Sequence, residues 1–181
     1  MGQLKQFLPL GNKPVIRHCL DHLMAAGIQD TVVVLSQMGS QIHNSIKDLP
    51  VQIVFNDSHE SEMVESVRTG LRALSESCSG VMVHLSDHPL VSVETFKRLV
   101  QYHLETPDKI IIPVYKEKRG HPSLFPKPVI YEVFKGLNLR DIINRDSGRI
   151  RMCDVDDEGI TLDMDMKEDY EKILRKTRSS H

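Results

Sequence analysis

The sequence predicts an α/β domain of three layers, in which a mostly parallel sheet lies between two layers of helices. Stretches with apolar residues at helical spacing alternate along the chain with short β-branched runs. The β-branched runs are apolar at consecutive positions, which is typical of strands that are buried on both faces of a parallel sheet. A length of 181 residues suits one domain with a sizeable core. We therefore expect a single domain over residues 1–181.

The first helix shows the pattern clearly and is predicted over residues 14–26. Its apolar residues recur every three or four positions, at Val15, Ile16, Cys19, Leu20, Leu23 and Met24. Pro14 suits the first position of a helix, and Gly27 suits the position just beyond its end.

The remaining elements follow from the same two periodicities. Helices are predicted near 40–47 and over 61–74, 93–104, 128–134, 140–144 and 167–176. Strands are predicted over 31–35, 51–55, 81–85, 110–113, within 119–125, and over 150–155 and 161–162. Pro113 has no N–H to donate, so the strand 110–113 is expected to end there or to lie at a sheet edge. The alternation as a whole predicts right-handed βαβ crossovers.

Composition excludes binding driven by net charge. The chain has 23 Lys and Arg residues against 25 Asp and Glu residues, a net charge of −2. No overall field attracts nucleic acid or an anionic membrane, and neither is expected as a partner. The apolar runs are too short to span a bilayer. Cys19, Cys78 and Cys153 are far apart and form no C-x-x-C, which indicates a reducing compartment and a cytoplasmic location.

Asp87 is the strongest candidate for a functional residue. It closes the run GVMVHLSD at residues 80–87, just beyond a strand that reads as buried. In open α/β sheets, ligands bind at the carboxyl ends of strands, where a carboxylate can hold a metal ion. The alternative is that Asp87 caps the helix that begins after Pro89.

Five stretches, in chain order, together resemble one known family. They are KQFLPLGNKP at 5–14, NDSHESEMVESVRTGL at 56–71, LSDHPL at 85–90, RGHP at 119–122 and DMDMKEDY at 163–170. These stretches are similar to the motifs of the molybdenum-cofactor cytidylyltransferase-like (MobA-like) nucleotidyltransferases. The resemblance extends over nearly the whole chain and implies the Rossmann-like fold of the nucleotide-diphospho-sugar transferases.

The same resemblance implies an activity. Family members transfer a nucleoside monophosphate from a nucleoside triphosphate to a phosphorylated acceptor and release pyrophosphate with magnesium. CTP is the favoured nucleotide and a molybdopterin-type cofactor the favoured acceptor, with a sugar or polyol phosphate as the alternative.

The resemblance also implies the metal ligands. Asp87 together with Asp165 or Asp163 would hold Mg²⁺, a hard cation that prefers oxygen ligands. Asp163 and Asp165 have a second interpretation as turn residues ahead of the last helix, where acidic side chains favour the helix dipole.

Four further residues receive roles from the resemblance. Lys5 would act beside Asp87 in catalysis by neutralising phosphate charge, and Gly2, Lys5 and Ser66 would contact the nucleotide. His121 would lie on the acceptor side. The alternatives are an ordinary surface lysine, a neutral helix position for Ser66 and a turn anchor for His121.

The chain departs from the family pattern at its beginning. It starts at the Met-Gly that closes the loop motif L-A-A-G-x-S-x-R-M-G, so an N-terminal truncation that removes one strand and most of the phosphate-binding loop is expected. Glu62 stands where the family has glycine. The rival readings are a non-catalytic remnant or binding domain of the same fold, an incomplete gene product, and a homo-oligomer in which another subunit supplies the strand.

Overall fold

A computed structural model describes residues 5–57 and 63–179, and helices and strands alternate through these ranges. The strands are β1 (Pro9–Leu10), β2 (Lys13–Pro14), β3 (Val32–Ser36), β4 (Gln52–Asn56), β5 (Gly80–Val83), β6 (Ile110–Tyr115), β7 (Lys118–Arg119), β8 (Ser123–Pro126) and β9 (Ile150–Asp154). The helices are α1 (Val15–Ala25), α2 (Ser40–Ile46), α3 (Met63–Ala73), α4 (Val93–Glu105), α5 (Lys127–Ile130), α6 (Leu139–Asn144) and α7 (Lys167–Ser179). Short 3₁₀ helices lie at Lys5–Phe7, Tyr131–Lys135, Ser147–Arg149 and Glu158–Thr161. None of the described helices is both long and apolar enough to cross a membrane.

The strands form a mixed arrangement. β3 and β4 pair in parallel, and a larger sheet has the order β5-β8-β6-β7, with β9 also paired to β6. The β6–β9 pair is parallel, whereas β5–β8, β8–β6 and β6–β7 are antiparallel. The α/β class is confirmed, but this sheet is mixed where a mostly parallel one was predicted. The chain passes from β6 to β8 through the tight β6–β7 hairpin, without the helical crossover that parallel neighbours need.

Pro113 lies inside β6, so the prediction that it ends a strand or lies at an edge is wrong. β6 pairs with β9 along one side, where Pro113 faces Cys153. On the other side its partner changes from β8 at Ile111 to β7 at Val114. The carbonyl of Pro113 points to that second side and accepts a hydrogen bond from the Gly120 N–H at 3.0 Å. The proline nitrogen, which has no hydrogen to donate, faces this same side, where the partner of β6 changes from β8 to β7. The hydrogen bonds between β6 and β9 are therefore not interrupted.

Two apolar cores on opposite faces of the sheet make the three layers. Ile111 and Leu124 point to a first core shared with α1, α2 and α4. Ile110, Ile112 and Phe125 point to a second core shared with α3, α5 and α6. Because successive strand residues face opposite ways, each central strand feeds both cores.

A third, smaller core connects the N-terminal segment to α7. It contains Leu10, Val15, Met164 and Ile173, all fully or nearly fully buried. The strand predicted at 161–162 is wrong, because a 3₁₀ helix at Glu158–Thr161 occupies this stretch.

Candidate active site

Two distant stretches of chain meet at the carboxyl end of β5. The carboxylate of Asp157 accepts hydrogen bonds from the Ser92 N–H at 2.8 Å and from the Thr95 hydroxyl at 2.7 Å. A Cβ on Gly159 would lie 2.2 Å from the Leu90 carbonyl oxygen. The segment of Gly159 and the loop of Leu90 therefore approach each other more closely than a residue with a side chain would permit. The loop that carries Asp87 is therefore held against the segment that leads to Asp163.

Asp87 lies on that loop with one oxygen in need of a partner. Its Oδ1 is buried and has no hydrogen-bond partner among the described residues. His88 Nε2 is 3.8 Å from this oxygen, too far for a hydrogen bond. A buried carboxylate oxygen without a partner is costly, and a bound cation would satisfy it.

The surroundings of Asp87 include α1 on the first-core side. The Cys19 thiol donates to the Ser86 carbonyl at 3.8 Å. Burial, and secondly the charge of Asp87, raise the pKa of Cys19 to about 12. Cys19 is thus a protonated packing residue at physiological pH, and it has no role as a nucleophile.

His121 is brought to the same place from the connection between β7 and β8. Its backbone N–H donates to the Ile160 carbonyl at 2.8 Å, and its ring centroid lies 5.1 Å from that of His88. Burial and His88 lower the pKa of His121, while the charges of Asp87 and Asp163 act to raise it. Carboxylates from both distant stretches therefore act on one imidazole, which is neutral at pH 7.

Gly120 makes this approach sterically feasible. A Cβ at this position would lie 2.3 Å from the Ile160 carbonyl oxygen, the group that accepts the His121 N–H. We expect Gly120→Ala to lower the free energy of unfolding by about 2–3 kcal/mol, because backbone atoms must shift to accept the methyl group. Urea denaturation would measure the loss. Gly148→Ala is the matched control, since its Cβ would meet only the Asp146 carboxylate at 3.1 Å, and an equal loss in both variants would contradict the argument.

Asp163 and Asp165 flank the buried Met164 of the third core. Both aspartates are exposed. Asp165 Oδ1 accepts a hydrogen bond from Lys5 Nζ at 3.1 Å. The residue predicted to neutralise phosphate and one residue predicted to hold metal are thus paired with each other.

The donor set suits a metal ion that retains ligands from its substrate. Residues 5–57 and 63–179 contain no group of three or more His, Cys, Asp or Glu side chains arranged to hold a metal ion. Mg²⁺ is usually bound through one or two carboxylates plus phosphate oxygens and waters, so a complete protein cage is not required. The unpartnered Oδ1 of Asp87 is an acceptor of the kind that this mode of binding uses.

Three residues are predicted to contact the nucleotide: Lys5, which is paired with Asp165, and Ser66 and Gly2. Ser66 is on α3, and its hydroxyl accepts a hydrogen bond from Asn56 Nδ2 at the end of β4, at 3.2 Å. Gly2 and Glu62 lie outside the described residues.

A cavity of about 260 Å³ adjoins His121 and was not predicted from the sequence. Most of its lining is apolar: Met63, Val83, Leu85, Phe125, Leu139 and Ile143. Its polar side chains are His121, Ser123 and Arg140. The sequence contains one signal for the side of the cavity that α6 forms. Asn138 and Asp141 form a capping box, which fixes where α6 begins and so which of its residues face β8.

His84 is another feature of this region that was not predicted from the sequence. Both of its ring nitrogens are buried and unpartnered among the described residues. Its ring packs edge-on against Phe96, with centroids 5.2 Å apart. Burial, followed by the charges of His88, His121 and His22, lowers the pKa of His84 to about 3.

Comparison with known proteins gives consistent matches. A family model described as the MobA-like NTP transferase domain matches residues 1–148. The chain is 31% identical over 97 residues to a 2-C-methyl-D-erythritol 4-phosphate cytidylyltransferase of Caldicellulosiruptor bescii, over 53% of this chain and 43% of that protein. The match thus spans less than half the length of this curated relative.

Solved structures extend the likeness to almost the whole chain. The crystal structure of Rv0371c from Mycobacterium tuberculosis is similar with a TM-score of 0.83 and 25% identity, over 97% of this chain and 90% of that chain. A crystal structure of Rv0371c in complex with manganese is similar with a TM-score of 0.80 and 24% identity, over 96% and 93% of the two chains.

Proposed function

The chain belongs to the family of MobA-like NTP transferase domains, and on that premise we propose that it transfers a nucleoside monophosphate from a nucleoside triphosphate to a phosphorylated small-molecule acceptor. An oxygen of the acceptor phosphate forms a bond to the α-phosphorus. The bond between the α-phosphorus and the oxygen that bridges to the β-phosphorus breaks, and pyrophosphate leaves. Most of the catalysis in such a transfer is positioning and charge neutralisation.

The observation that carries the proposal is the unpartnered buried oxygen of Asp87, on a loop whose His88 ring lies 5.1 Å from the ring of His121. Asp87, with Asp165 or Asp163, would hold Mg²⁺. The ion would supply charge neutralisation and orientation at the phosphates. The manganese complex of Rv0371c supports a divalent metal at such a domain.

The side chains of this protein would bind and orient the two substrates. Lys5 would exchange its contact with Asp165 for a phosphate oxygen, and Ser66 and Gly2 would contact the nucleotide. His121, neutral at pH 7, would contact the acceptor as a hydrogen-bond partner rather than as a charge.

CTP is the nucleotide we favour, because one of the matched curated relatives is a cytidylyltransferase. For the acceptor, the sequence motifs favour a molybdopterin-type cofactor, whereas the name of that relative favours a polyol phosphate. We place the reaction in the cytoplasm because the described cysteines are free.

Pyrophosphate release with CTP, GTP, ATP and UTP in turn, each with magnesium, tests the proposal. Molybdopterin and 2-C-methyl-D-erythritol 4-phosphate are the acceptors to compare. Acceptor-dependent release with one nucleotide supports the proposal. If neither these acceptors nor any other organic phosphate that binds the chain yields pyrophosphate, while calorimetry detects nucleotide binding, the chain is instead a binding domain of the same fold.

The pair between Lys5 and Asp165 predicts opposite effects of one substitution with and without metal. In Asp165→Asn, Lys5 loses its competing carboxylate, so CTP without metal should bind about twofold to fivefold more tightly, the range expected for an exposed ion pair. With magnesium, the same variant should bind CTP more weakly, because a metal ligand is lost. Calorimetry in EDTA and in magnesium measures both arms. Asp108→Asn, at an exposed carboxylate paired with Lys109, is the control, and a change of the same sign in both arms would contradict the prediction.

A further inference from the structure

The cavity beside His121 has a chemistry that neither acceptor considered above matches. Of the nine lining side chains in the described part of the chain, six are hydrocarbon or thioether groups. A polyol phosphate or a polar fused-ring cofactor carries many hydrogen-bonding groups, and each would be stripped of water on entry. Among the residues that the structure describes, His121, Ser123 and Arg140 are the ones that offer polar side-chain partners there. A polar group that is buried without a partner opposes binding.

The size of the cavity limits the apolar body that it can take. A cavity of 150 Å³ lined by Leu, Ile and Phe side chains is known to accept benzene. At about 260 Å³ this cavity accommodates a hydrocarbon group of about ten carbon atoms, such as two fused six-membered rings.

The charges around the cavity favour an anion. Arg140 is the one cationic side chain among the described lining residues, and it is exposed at the surface. His121 lines the cavity, and its ring centroid lies 5.1 Å from that of His88, the residue that follows Asp87, so the cavity adjoins the loop of the candidate metal site.

We propose that the cavity holds the non-reacting part of the acceptor, and that the acceptor is an organic phosphate with a compact hydrocarbon body rather than a polyol. The apolar body lies between β5, β8 and α6. The phosphate lies at the His121 end, and Arg140 supplies the compensating charge. This inference rests on the proposed function for the identity of the ligand as the acceptor, but its test measures binding alone.

Two probes distinguish recognition of the hydrocarbon body from recognition of the phosphate. 1-Naphthyl phosphate and glycerol 3-phosphate both carry a phosphate, but only the first has an apolar body. Calorimetry on the whole chain with magnesium should give at least tenfold tighter binding for 1-naphthyl phosphate. Equal binding of the two probes, or binding of neither, overturns the inference.

Two cavity variants locate the binding site. Arg140→Ala removes the charge and Ile143→Phe fills the space, and each should weaken binding of 1-naphthyl phosphate at least fivefold while CTP binding stays unchanged. Arg72→Ala, at an exposed arginine stacked on Phe134, and Leu104→Phe, at a leucine that is 72% exposed, are the matched controls and should change neither ligand.

Two outcomes with the cavity variants would reject the inference. If the cavity variants weaken CTP binding as much as probe binding, the cavity belongs to the nucleotide and the inference is wrong. If they leave the probe unaffected, it is also wrong. Arg140 is exposed, so its variant retains the fold even if Ile143→Phe melts early, and the thermal midpoint of each variant checks this. A failure to release pyrophosphate would count against the proposed function and leave the probe result standing.

Discussion

Asp87→Asn is expected to lower the rate of pyrophosphate release by about 10²–10³-fold without lowering the stability of the fold. Under the proposed function, the carboxylate charge would hold the divalent ion that neutralises the phosphates, a contribution of several kcal/mol to the transition state. Each loss of about 1.4 kcal/mol slows the reaction tenfold. The amide keeps the size of the side chain but not its charge, so the loss falls on chemistry rather than on packing.

The stability of the same variant is the more discriminating measurement. Asp87 Oδ1 is buried without a hydrogen-bond partner in the part of the chain that the structure describes. An unsatisfied buried acceptor costs about 1–3 kcal/mol, and more when it is charged. Asp87→Asn should therefore leave the free energy of unfolding in urea unchanged or raise it. If Asp87→Asn loses activity and does not lose stability, the carboxylate of Asp87 serves the reaction rather than the fold.

The control for Asp87 is Asp108→Asn, which removes an exposed carboxylate from the opposite end of the sheet, just before β6. It should change neither rate nor stability. Equal rates for Asp87→Asn and the unaltered chain would reject the role of Asp87. A variant that is strongly destabilised would show that Asp87 is a structural cap instead.

Acidification is expected to destabilise the protein through His84, by up to about 4–5 kcal/mol at pH 3. The pKa of His84 falls from 6.5 in an open chain to about 3 in the fold, chiefly because the ring is buried. Above pH 6.5 the ring is neutral in both states, and the full stability is present. Between pH 6.5 and pH 3 the unfolded chain binds a proton that the folded chain does not, so stability falls as the pH falls. The loss is about 1.4 kcal/mol for each pH unit in that interval.

This effect is large against a typical domain stability of about 5–15 kcal/mol. His84→Phe removes the titrating group and keeps a ring against Phe96. Urea denaturation at several pH values should give a shallower fall below pH 6.5 for this variant. Because His88, His121 and His22 also act on His84, the whole chain will not become independent of pH.

The control for His84 is His43→Gln, which removes a half-buried histidine ring on α2 that packs on Phe55. It should leave the slope of stability against pH as it is. If His84→Phe and the unaltered chain lose stability in parallel between pH 6.5 and pH 4, burial of His84 is not the source of acid sensitivity.

Local patterns predicted most of the secondary structure because its causes are local. The apolar spacing of α1, with Pro14 before it and Gly27 after it, placed that helix within one residue at each end. The strand at 161–162 failed for an equally local reason. The Asp157 side chain accepts a hydrogen bond from the Gly159 N–H at 2.8 Å and starts a 3₁₀ turn. A side chain that binds the backbone in this way competes with strand hydrogen bonds, and the spacing of apolar residues does not reveal it.

The order and direction of the strands were not predictable in the same way. Pro113 was expected at an edge because it lacks an N–H, and that inference assumes the same neighbour along the whole strand. In β6 the neighbour changes from β8 to β7 next to the proline, which only long-range pairing determines.

The candidate site divides along the same line. The motif residues Asp87 and His121 were selected from the sequence, and the structure places the ring of His121 against His88 of the Asp87 loop and its backbone N–H on Ile160, three residues before Asp163. The structure also pairs Asp165 with Lys5, a contact across 160 residues that no motif predicts. Arg140 and the apolar lining of the cavity come from segments without a recognisable motif, because a cavity is defined by what several elements leave unfilled.

The amino-acid sequence by itself determined the α/β class and the residue types available for chemistry, since these depend on periodicity and on side chains placed at short spacing, and its ordered motifs resemble those of the family. The tertiary structure alone decided the mixed sheet, the unpartnered oxygen of Asp87, the buried ring of His84 and the cavity beside His121. Each of these depends on which distant segments exclude water from one another, and the exclusion of water is a property of the packed chain rather than of any segment within it.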